Sequence, residues 1–383
     1  MSLREDIVIE DTTLRDGEQA PGISFGRITK LKIFDALIDA GIRWIEGGIY
    51  AMGGTESRTL KEMLERTQGT DIRLVGWNRG IRADVEASLD AGYRYIHIGL
   101  PTSEIHLKNS INKSKDWLVR QACELIDVAK QRNAFVSISA EDVARSDLSF
   151  LVDYAGHICE AGADRLRLSD TIGVLTPEQY HAIIHTVTST VDIDTQCHAH
   201  NDFGLGVSNT ISGLLAGAKY FHATVNGIGE RAGMPDLAQM VMSLKIQYGI
   251  DLGVKLEKLQ TLCEIVAHAT ASRINPWQPV VGSNIFAHES GIHAKGTLNN
   301  GKSFEPYAPS LVGRERHIVV GKHSGRASIR YALDQLHIIL SDDEVHHLLR
   351  LVREVSTIKS RALTLTDVAM LCSTLRRERQ HEQ

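Results

Sequence analysis

The feature that most constrains the fold of this chain is a repeated unit in which a helix ends on a glycine and a short apolar strand follows at once. Four copies are marked by Asp39-Ala40-Gly41, Asp90-Ala91-Gly92, Glu160-Ala161-Gly162 and Ala216-Gly217-Ala218. Glycine adopts the left-handed conformation that ends many helices, so each copy predicts a helix followed by a strand. With the strand-like runs between the copies, the sequence predicts strands at 7–10, 44–48, 72–77, 95–99, 135–140, 165–169, 193–198 and 220–224.

Strands that alternate with helices indicate parallel pairing through right-handed crossovers. Eight such units in roughly 240 residues match an α/β protein of the (β/α)8 barrel type, for which about 250 residues is typical. An open, doubly wound parallel sheet is the alternative. The count of eight strands and the lack of a GxGxxG opening favour the barrel.

The repeat stops near residue 249, and a mainly helical region follows. A helix is expected at 256–271, a break at 275–279 (Asn-Pro-Trp-Gln-Pro), and further helices at 326–336 and 342–360. We therefore expect a catalytic barrel at 1–260 and a linker with a helical subdomain at 261–383.

Composition narrows the class of protein. A formal charge of −5 argues against a general nucleic-acid or anionic-membrane surface. The five cysteines are scattered without CxxC spacing, which favours a reducing compartment over a disulfide framework. The first residues lack an apolar signal core, and we expect a cytoplasmic protein.

Polar side chains collect where the predicted strands end, at the rim where barrel enzymes carry their sites. The stretch 11–22 after the first strand holds a cation, an amide and several carboxylates. Later strand ends add further polar or glycine-rich groups: Glu46, Trp77-Asn78-Arg79, Ser139, Glu141-Asp142, Ser169-Asp170-Thr171, His198-Ala199-His200 and 226–233. A purely structural barrel does not need so many polar groups at one rim.

The pair His198 and His200 is the most specific element of this rim. Side chains two apart on a strand point the same way, so both imidazoles should face the barrel mouth. Two imidazoles and a carboxylate suit a divalent ion with open positions, and Asp16 is the expected third ligand. Taken alone, an HxH pair is as readily two hydrogen-bonded histidines.

The motifs resemble the isopropylmalate/homocitrate synthase family of metal-dependent barrel enzymes. The first signature is Asp11-Thr12-Thr13-Leu14-Arg15-Asp16-Gly17-Glu18-Gln19, and the second is His198–Leu205 followed by Asn226–Gly233. The match continues in 290–293 and 321–325 and covers essentially the whole chain. The similarity is greatest to the short, nitrogenase-associated homocitrate synthases, which lack a C-terminal regulatory domain.

The resemblance implies a Claisen-type condensation of acetyl-CoA with a 2-oxo acid, followed by thioester hydrolysis. It implies a divalent ion (Zn, Mn, Fe or Mg) on Asp16, His198 and His200, and charge stabilisation by Arg15. It also implies a homodimer, because His293 would act as base from the partner subunit, tuned by Glu141. The remaining implied contacts are substrate binding by Gln19, Trp77, Arg79, Ser139 and Thr171, and a CoA-side loop with Asn226, Gly227, Gly229, Glu230, Arg231 and Gly233.

The acceptor is the least determined part of this interpretation. Trp77 and Ser137 stand where lysine-pathway homocitrate synthases carry a histidine and an arginine, so we expect 2-oxoglutarate bound in the manner of the nitrogenase-type enzymes. Phosphonopyruvate, 2-oxoisovalerate, pyruvate and oxaloacetate are alternatives, and Arg79 with Asn78 is placed to meet an anionic tail.

Two positions depart from the family pattern. Met234 replaces a usual asparagine near the metal, and Phe304 replaces a catalytic tyrosine, for which Tyr307 is the nearest substitute. These departures suggest a binding protein that has lost turnover as one alternative. An acyl-CoA lyase or aldolase on the same kind of metal barrel is another, although the segment bearing His293 argues against it.

Overall fold

The computed structural model describes residues 3–382, with side chains through 377. Eight parallel strands close into a barrel in the order β1 to β8, with β1 paired to β8, which confirms the predicted fold class. The strands are β1 Val8–Asp11, β2 Trp44–Gly48, β3 Arg73–Arg79, β4 Tyr95–Gly99, β5 Phe135–Glu141, β6 Arg165–Asp170, β7 Asp194–Ala199 and β8 Tyr220–Ala223.

Helices alternate with these strands along the chain. They are α1 Arg27–Asp39, α2 Gly54–Thr67, α3 Arg82–Ala91, α4 Glu104–Asn109, α5 Lys115–Lys130, α6 Leu148–Glu160, α7 Pro177–Thr190, α8 Gly206–Leu215, α9 Leu237–Tyr248 and α10 Leu259–Ala269. None of the described helices combines the length and apolar character needed to cross a membrane.

Local sequence explains where these helices begin and end. Helix α7 starts with a capping box, in which the Thr176 hydroxyl and the Gln179 side chain each bond the other's backbone N–H. Helix α3 ends at Gly92, whose φ of 107° lies in the left-handed region that a side chain disfavours. The helix–glycine–strand repeat therefore has the physical basis that the sequence suggested.

Successive side chains along a barrel strand alternate between two kinds of surroundings. Leu166 and Leu168 on β6 are buried among apolar side chains, whereas Arg165 and Arg167 on the same strand bond charged and polar groups contributed by other barrel strands. At the end where the strands begin, the Arg165 guanidinium lies 4.7 Å from the ring centre of Tyr220 and 5.5 Å from that of Trp44. The polar face of the barrel thus carries paired charges below the rim that holds the site.

The chain divides into two compact units, Met1–Ile274 and Asn275–Gln383. The division expected from the sequence lay at 260/261, which falls inside α10. In the structure α10 packs against α1, and its apolar face, with Leu262 and Val266, is buried. The helix therefore belongs to the barrel unit.

The second unit contains a two-stranded parallel sheet, β9 Ala287–His288 and β10 His317–Ile318, and helices α11 Gly291–Asn299, α12 Arg326–Gln335, α13 Asp342–Lys359 and α14 Leu365–Glu382. Helix α13 begins with a capping box formed by Ser341 and Glu344. Apolar side chains of α12, α13 and α14, including Ile329, Leu348 and Val368, form one buried cluster.

Candidate active site

A cavity of about 180 Å³ opens where the barrel strands end. Eleven of the residues predicted for the site line it: Arg15, Asp16, Gln19, Trp77, Ser139, Glu141, Thr171, His198, His200, Glu230 and Arg231. His97, Arg167 and Ser169 complete the lining. Residues far apart in the sequence thus converge on one pocket, as the (β/α)8 topology requires.

The turn after β1 is held in place by its own hydrogen bonds. Both oxygens of the Asp11 carboxylate accept from Thr13, one from the backbone N–H at 2.9 Å and one from the hydroxyl at 2.8 Å. The Glu18 carboxylate accepts from the Lys30 ammonium at 2.7 Å and from the Phe25 backbone N–H at 2.9 Å. Arg15 and Asp16 therefore stand on a fixed turn.

Asp16, His198 and His200 are arranged to hold a cation. One ligand atom from each lies within 4.8 Å of the others, and all three side chains are buried. Asp16 Oδ1 and His200 Nδ1 have no hydrogen-bond partner within the described part of the chain, which is unusual for buried polar atoms. Since two imidazoles and a carboxylate suit a divalent ion, the residues fit the expected metal.

The electrostatics agree with this arrangement. Burial, reinforced by the neighbouring His222, lowers the pKa of His198 well below its ordinary value. Burial likewise lowers the pKa of His200. Both rings are therefore neutral near pH 7, the form in which an imidazole nitrogen binds a metal.

Arg15 lies beside this predicted metal site. Its Nη1 donates to Asp16 Oδ2 at 2.9 Å, and its Nε donates to Glu46. Its guanidinium carbon lies 5.7 Å from the ring centre of Trp77. Although burial favours the neutral form, Glu46 and Asp16 raise the pKa of Arg15, so the cation is retained inside the cavity.

A network of buried charges below the cavity was not predicted. Glu10 accepts from Arg165 Nη1 at 2.7 Å, and Glu46 accepts from Arg167 Nη2 at 2.7 Å. Burial opposes ionisation of Glu46, but Arg15 and Arg167 lower its pKa well below the ordinary value. The alternation Arg165-Leu166-Arg167-Leu168 was the available signal, because two arginines at a spacing of two share one face of a strand.

His97 is the other unpredicted residue of the cavity. It is fully buried, its Nδ1 lies 2.9 Å from the Ser137 hydroxyl, and its Nε2 has no partner among the residues described. Burial and the nearby Arg167 lower the pKa of His97 well below its ordinary value, so the ring is neutral. His97 thus contributes to the pocket lining and has a buried ring nitrogen without a partner in the described part of the chain.

Loops from β6, β7 and β8 meet at one side of the cavity. Arg231 donates to both carboxylate oxygens of Asp202, at 2.9 and 3.0 Å, and to the Thr171 carbonyl at 2.7 Å. The Thr171 hydroxyl accepts from the Asp142 backbone N–H at 2.9 Å, which leaves its own proton available to a ligand.

The glycine-rich loop packs closely against Asp16, one of the predicted metal ligands. A Cβ on Gly229 would lie 2.9 Å from Asp16 Oδ1 and 3.1 Å from Met234 Cγ, so this position has room only for glycine. Gly227 and Gly233, with φ of 67° and 86°, make the bends of the loop. The Asn226 amide bonds the Cys263 carbonyl at 2.8 Å, which ties the loop to α10.

Arg79 does not line the cavity, in contrast to the expectation from the sequence. Its Nε and Nη2 donate to the Asp84 carboxylate at 2.6 and 2.9 Å, and 58% of its side chain is exposed. Asn78 is buried, with its amide oxygen accepting from the Ser88 hydroxyl. Because α3 follows β3 at once, Asp84 in its first turn is the nearest carboxylate for Arg79.

The predicted base, His293, lies in the second unit, as does Tyr307, the expected substitute for the tyrosine that Phe304 replaces. The exposed His293 ring stacks on Phe304 with centroids 4.1 Å apart. Tyr307 packs edge-on against Phe286 at 5.6 Å, and burial raises its pKa. Phe304, rather than Tyr307, is thus the stacking neighbour of His293, and the roles of His293 and Tyr307 stay predictions.

Comparison with known proteins agrees with this geometry. Residues 6–266 match the HMGL-like family, and residues 280–360 match the "Homocitrate synthase post-HMGL domain-like" family. The chain is 55% identical to "2-phosphonomethylmalate synthase" of Streptomyces rubellomurinus, over 92% of this chain and 94% of that protein. It is 39% identical to "Homocitrate synthase 1" of Nostoc sp., over 95% and 96%.

A solved structure shares the barrel fold. The hydroxymethylglutaryl-CoA lyase of Pseudomonas aeruginosa superposes with a TM-score of 0.65 at 20% identity, covering 73% of this chain and 98% of that one. The family predicted from the motifs is confirmed by the sequence matches. The chain belongs to the isopropylmalate/homocitrate synthase family of HMGL-like barrel proteins and is an acetyl-CoA-dependent synthase that condenses the acetyl group with a 2-oxo acid.

Proposed function

We propose that the acceptor is phosphonopyruvate and the product 2-phosphonomethylmalate. The observation that carries this proposal is the unpaired His97 Nε2 in the cavity lining. The 55% identity to a 2-phosphonomethylmalate synthase, against 39% to a homocitrate synthase, supports the same acceptor.

The hydrogen bonds around His97 indicate which of its ring nitrogens carries the proton. Arg165 Nε, which is always a donor, bonds the Ser137 hydroxyl oxygen at 3.0 Å. We assign the one hydroxyl proton of Ser137 to His97 Nδ1, 2.9 Å away. In a neutral ring this puts the proton on Nε2, and we propose that this N–H donates to the acceptor in the cavity. Such a donor suits an anionic phosphonate tail and not a branched alkyl tail.

The proposed reaction joins the acetyl methyl carbon of acetyl-CoA to the ketone carbon of the acceptor. Hydrolysis of the thioester with one water then releases CoA. Arg15 would face the developing negative charge on the former ketone oxygen, and the free Thr171 hydroxyl proton would bond the acceptor carboxylate. Gln19, whose amide oxygen lies 3.4 Å from Arg15 Nη1, would orient the same carboxylate.

Asp16, His198 and His200 would hold the divalent cation. When bound, this ion supplies Lewis-acid polarisation of the ketone. Ligation by two imidazoles and one carboxylate accommodates zinc, manganese, iron or magnesium.

Proton removal from the acetyl methyl group requires a base. Burial raises the pKa of Glu141 above its ordinary value, as is typical of a carboxyl group that takes part in proton transfer. We propose that His293 of a second copy of the chain is the base, with Glu141 adjusting it, so that the active enzyme is a homodimer.

Homocitrate synthesis from 2-oxoglutarate is the second candidate, because a carboxylate tail also accepts the His97 N–H. The test is a thiol-release assay with acetyl-CoA and five acceptors: phosphonopyruvate, 2-oxoglutarate, 2-oxoisovalerate, pyruvate and oxaloacetate. We expect the highest kcat/KM with phosphonopyruvate. A higher value with 2-oxoglutarate would assign homocitrate synthesis, and release with none of the five would reject the proposed reaction.

The variant His97→Leu tests the observation itself. We expect KM for phosphonopyruvate to rise roughly tenfold or more, since a charge-assisted hydrogen bond contributes about 1.5–3 kcal/mol. Turnover of pyruvate, which lacks the tail, is the internal control and should change little. An equal loss with both acceptors would contradict recognition of the tail by His97.

A further inference from the structure

Two fully buried groups below the cavity have no part in the reaction described above. They are Glu10 on β1 and His222 on β8, which stand opposite each other in the strand register. His222 Nε2 lies 2.8 Å from Glu10 Oε1, and His222 Nδ1 lies 2.8 Å from His198 Nδ1. A continuous chain of hydrogen bonds therefore leads from Glu10 to a predicted metal ligand.

The direction of this chain follows from its charged end. Glu10 also accepts from Arg165 Nη1 at 2.7 Å and from Arg167 Nη2 at 3.3 Å, so it is a carboxylate and only accepts. His222 Nε2 must then donate to it. In a neutral His222 ring, Nδ1 carries a lone pair and accepts the proton of His198 Nδ1.

The remaining nitrogen of His198 is thereby fixed. With its proton on Nδ1, its Nε2 carries a lone pair, and this atom lies 3.7 Å from Asp16 Oδ2. That separation leaves room for a cation between them, since zinc–ligand bonds to nitrogen and oxygen are about 2.0–2.2 Å. The other tautomer would place a proton where the cation belongs.

We propose that Glu10 and His222 are positioning residues that hold His198 in its metal-binding tautomer. The inference rests on the metal site of the proposed function. It also assigns a role to the cluster Glu10, Glu46 and His222, whose ligand atoms likewise lie within 4.8 Å of one another. Arg165 and Arg167 already neutralise these two carboxylates, so this cluster is an orienting network and not a second cation site.

The first test reads the tautomer directly in the metal-free wild-type protein. Long-range proton–nitrogen NMR correlations, assigned with a His198→Gln reference, should show a protonated Nδ1 and an unprotonated Nε2 for His198. A protonated Nε2 would overturn the proposal. Because this measurement uses the unmutated fold, it decides the question even if a variant is unstable.

The second test measures zinc affinity by competition with a chromophoric chelator. His222→Leu removes the acceptor for His198, and zinc binding should weaken roughly 10- to 100-fold, as is common for such outer contacts. His222→Gln retains an acceptor and a donor and should restore most of the affinity. The exposed His185→Leu is the matched control and should bind as the wild type does.

The outcomes separate the two levels of inference. If His198→Ala loses zinc while His222→Leu binds it with full affinity, the positioning role of Glu10 and His222 is overturned and the metal site is left in place. Unchanged affinity in His198→Ala would reject the metal site itself. Binding of two zinc ions to the wild type, with one lost in His222→Leu, would overturn the orienting network in favour of a second cation site.

Discussion

The barrel interior and the apolar cluster of the second unit show two different ways of filling a protein core. Below the barrel cavity, Glu10, Glu46 and Arg167 are buried and paired with one another. In the second unit, Leu348, Val352 and their neighbours are buried without charge. Well-packed apolar side chains often stabilise as much as a buried ion pair does, because desolvation offsets the Coulombic gain. The charged interior is therefore best explained by the site above it.

The two cores also differ in how far the effect of a substitution extends beyond the substituted side chain. Each apolar side chain of the cluster acts mainly through its own packing. By contrast, Arg167 contacts two carboxylates, and Glu46 in turn contacts Arg15 at the metal site. Replacing a charged residue of the barrel interior should therefore affect both stability and chemistry. Replacing an apolar residue of the cluster should affect stability alone.

The largest effect on chemistry is expected from the predicted metal ligands. Asp16→Ala should abolish stoichiometric metal and lower kcat about 10³-fold or more, because Lewis-acid polarisation contributes several kcal/mol to the transition state. Elemental analysis and the thiol-release assay measure the two quantities. The exposed Asp35→Ala is the matched control. A metal-free Asp16→Ala protein with full turnover would contradict the metal-dependent reaction.

The largest effect on stability is expected from Arg167→Met. Glu10 keeps Arg165 and Glu46 keeps Arg15, but the buried cluster loses one cation and is left with an excess of negative charge. The free energy of unfolding should therefore fall by about 3–5 kcal/mol. Urea denaturation at pH 7 measures the loss. Acidification should recover part of the lost stability, since protonation of Glu10 or Glu46 removes the excess negative charge. A loss below about 1 kcal/mol would show that the network is not strongly coupled.

Leu348→Ala in the apolar cluster provides the contrasting case. Removing a fully buried leucine side chain should cost about 2–5 kcal/mol of the second unit's stability. Metal content and affinity should be unchanged, because no metal ligand lies in that unit's cluster. A coupled loss of metal affinity in the folded protein would erase the distinction between the two cores.

Much of this architecture was predictable from the sequence. The helix–glycine–strand repeat located four of the barrel strands and apolar runs located the other four, because glycine at a helix end and a short apolar run are local signals. His198 and His200 were predictable as a pair, since a spacing of two puts both on one face of a strand. Asp16 was predictable as the third ligand because it follows the end of β1 and therefore lies at the same rim.

The missed residues depend on contacts that no local pattern contains. His97 follows from its place beside Ser137 on the neighbouring strand, and Glu10 from its register opposite His222. Arg79 was assigned to the pocket by its strand position alone, and the competing carboxylate of Asp84 lies on the next helix. Strand register and competition between partners are therefore what the sequence lacked.

An effect that is smaller per pH unit is expected from the ionisation of Asp11. Burial raises the pKa of this carboxyl to about 7, against about 3.9 in the unfolded chain. The folded state then binds more protons between these values, so stability should fall as pH rises from about 4 to about 7, by at most about 1.4 kcal/mol per pH unit. Asp11→Asn should remove this slope.

Denaturant titrations of both proteins at pH 5, 6, 7 and 8 measure the difference. The wild type should lose stability relative to Asp11→Asn up to about pH 7 and then run parallel to it. A difference that grows in favour of the wild type with rising pH would show that Asp11 is ionised in the fold.

The smallest effect is expected from Arg79→Ala. Its guanidinium is mostly exposed and bonded to Asp84, so its removal should leave KM for phosphonopyruvate within about twofold. The thermal midpoint should fall modestly, because the buried Asp84 carboxylate loses its cationic partner. Asp84→Ala is the matched partner: it frees Arg79 without removing its charge. If Arg79→Ala raised KM several-fold while Asp84→Ala lowered it, the arginine would act on the acceptor after all. The distinction between the buried donor His97 and the exposed Arg79 would then have to be redrawn.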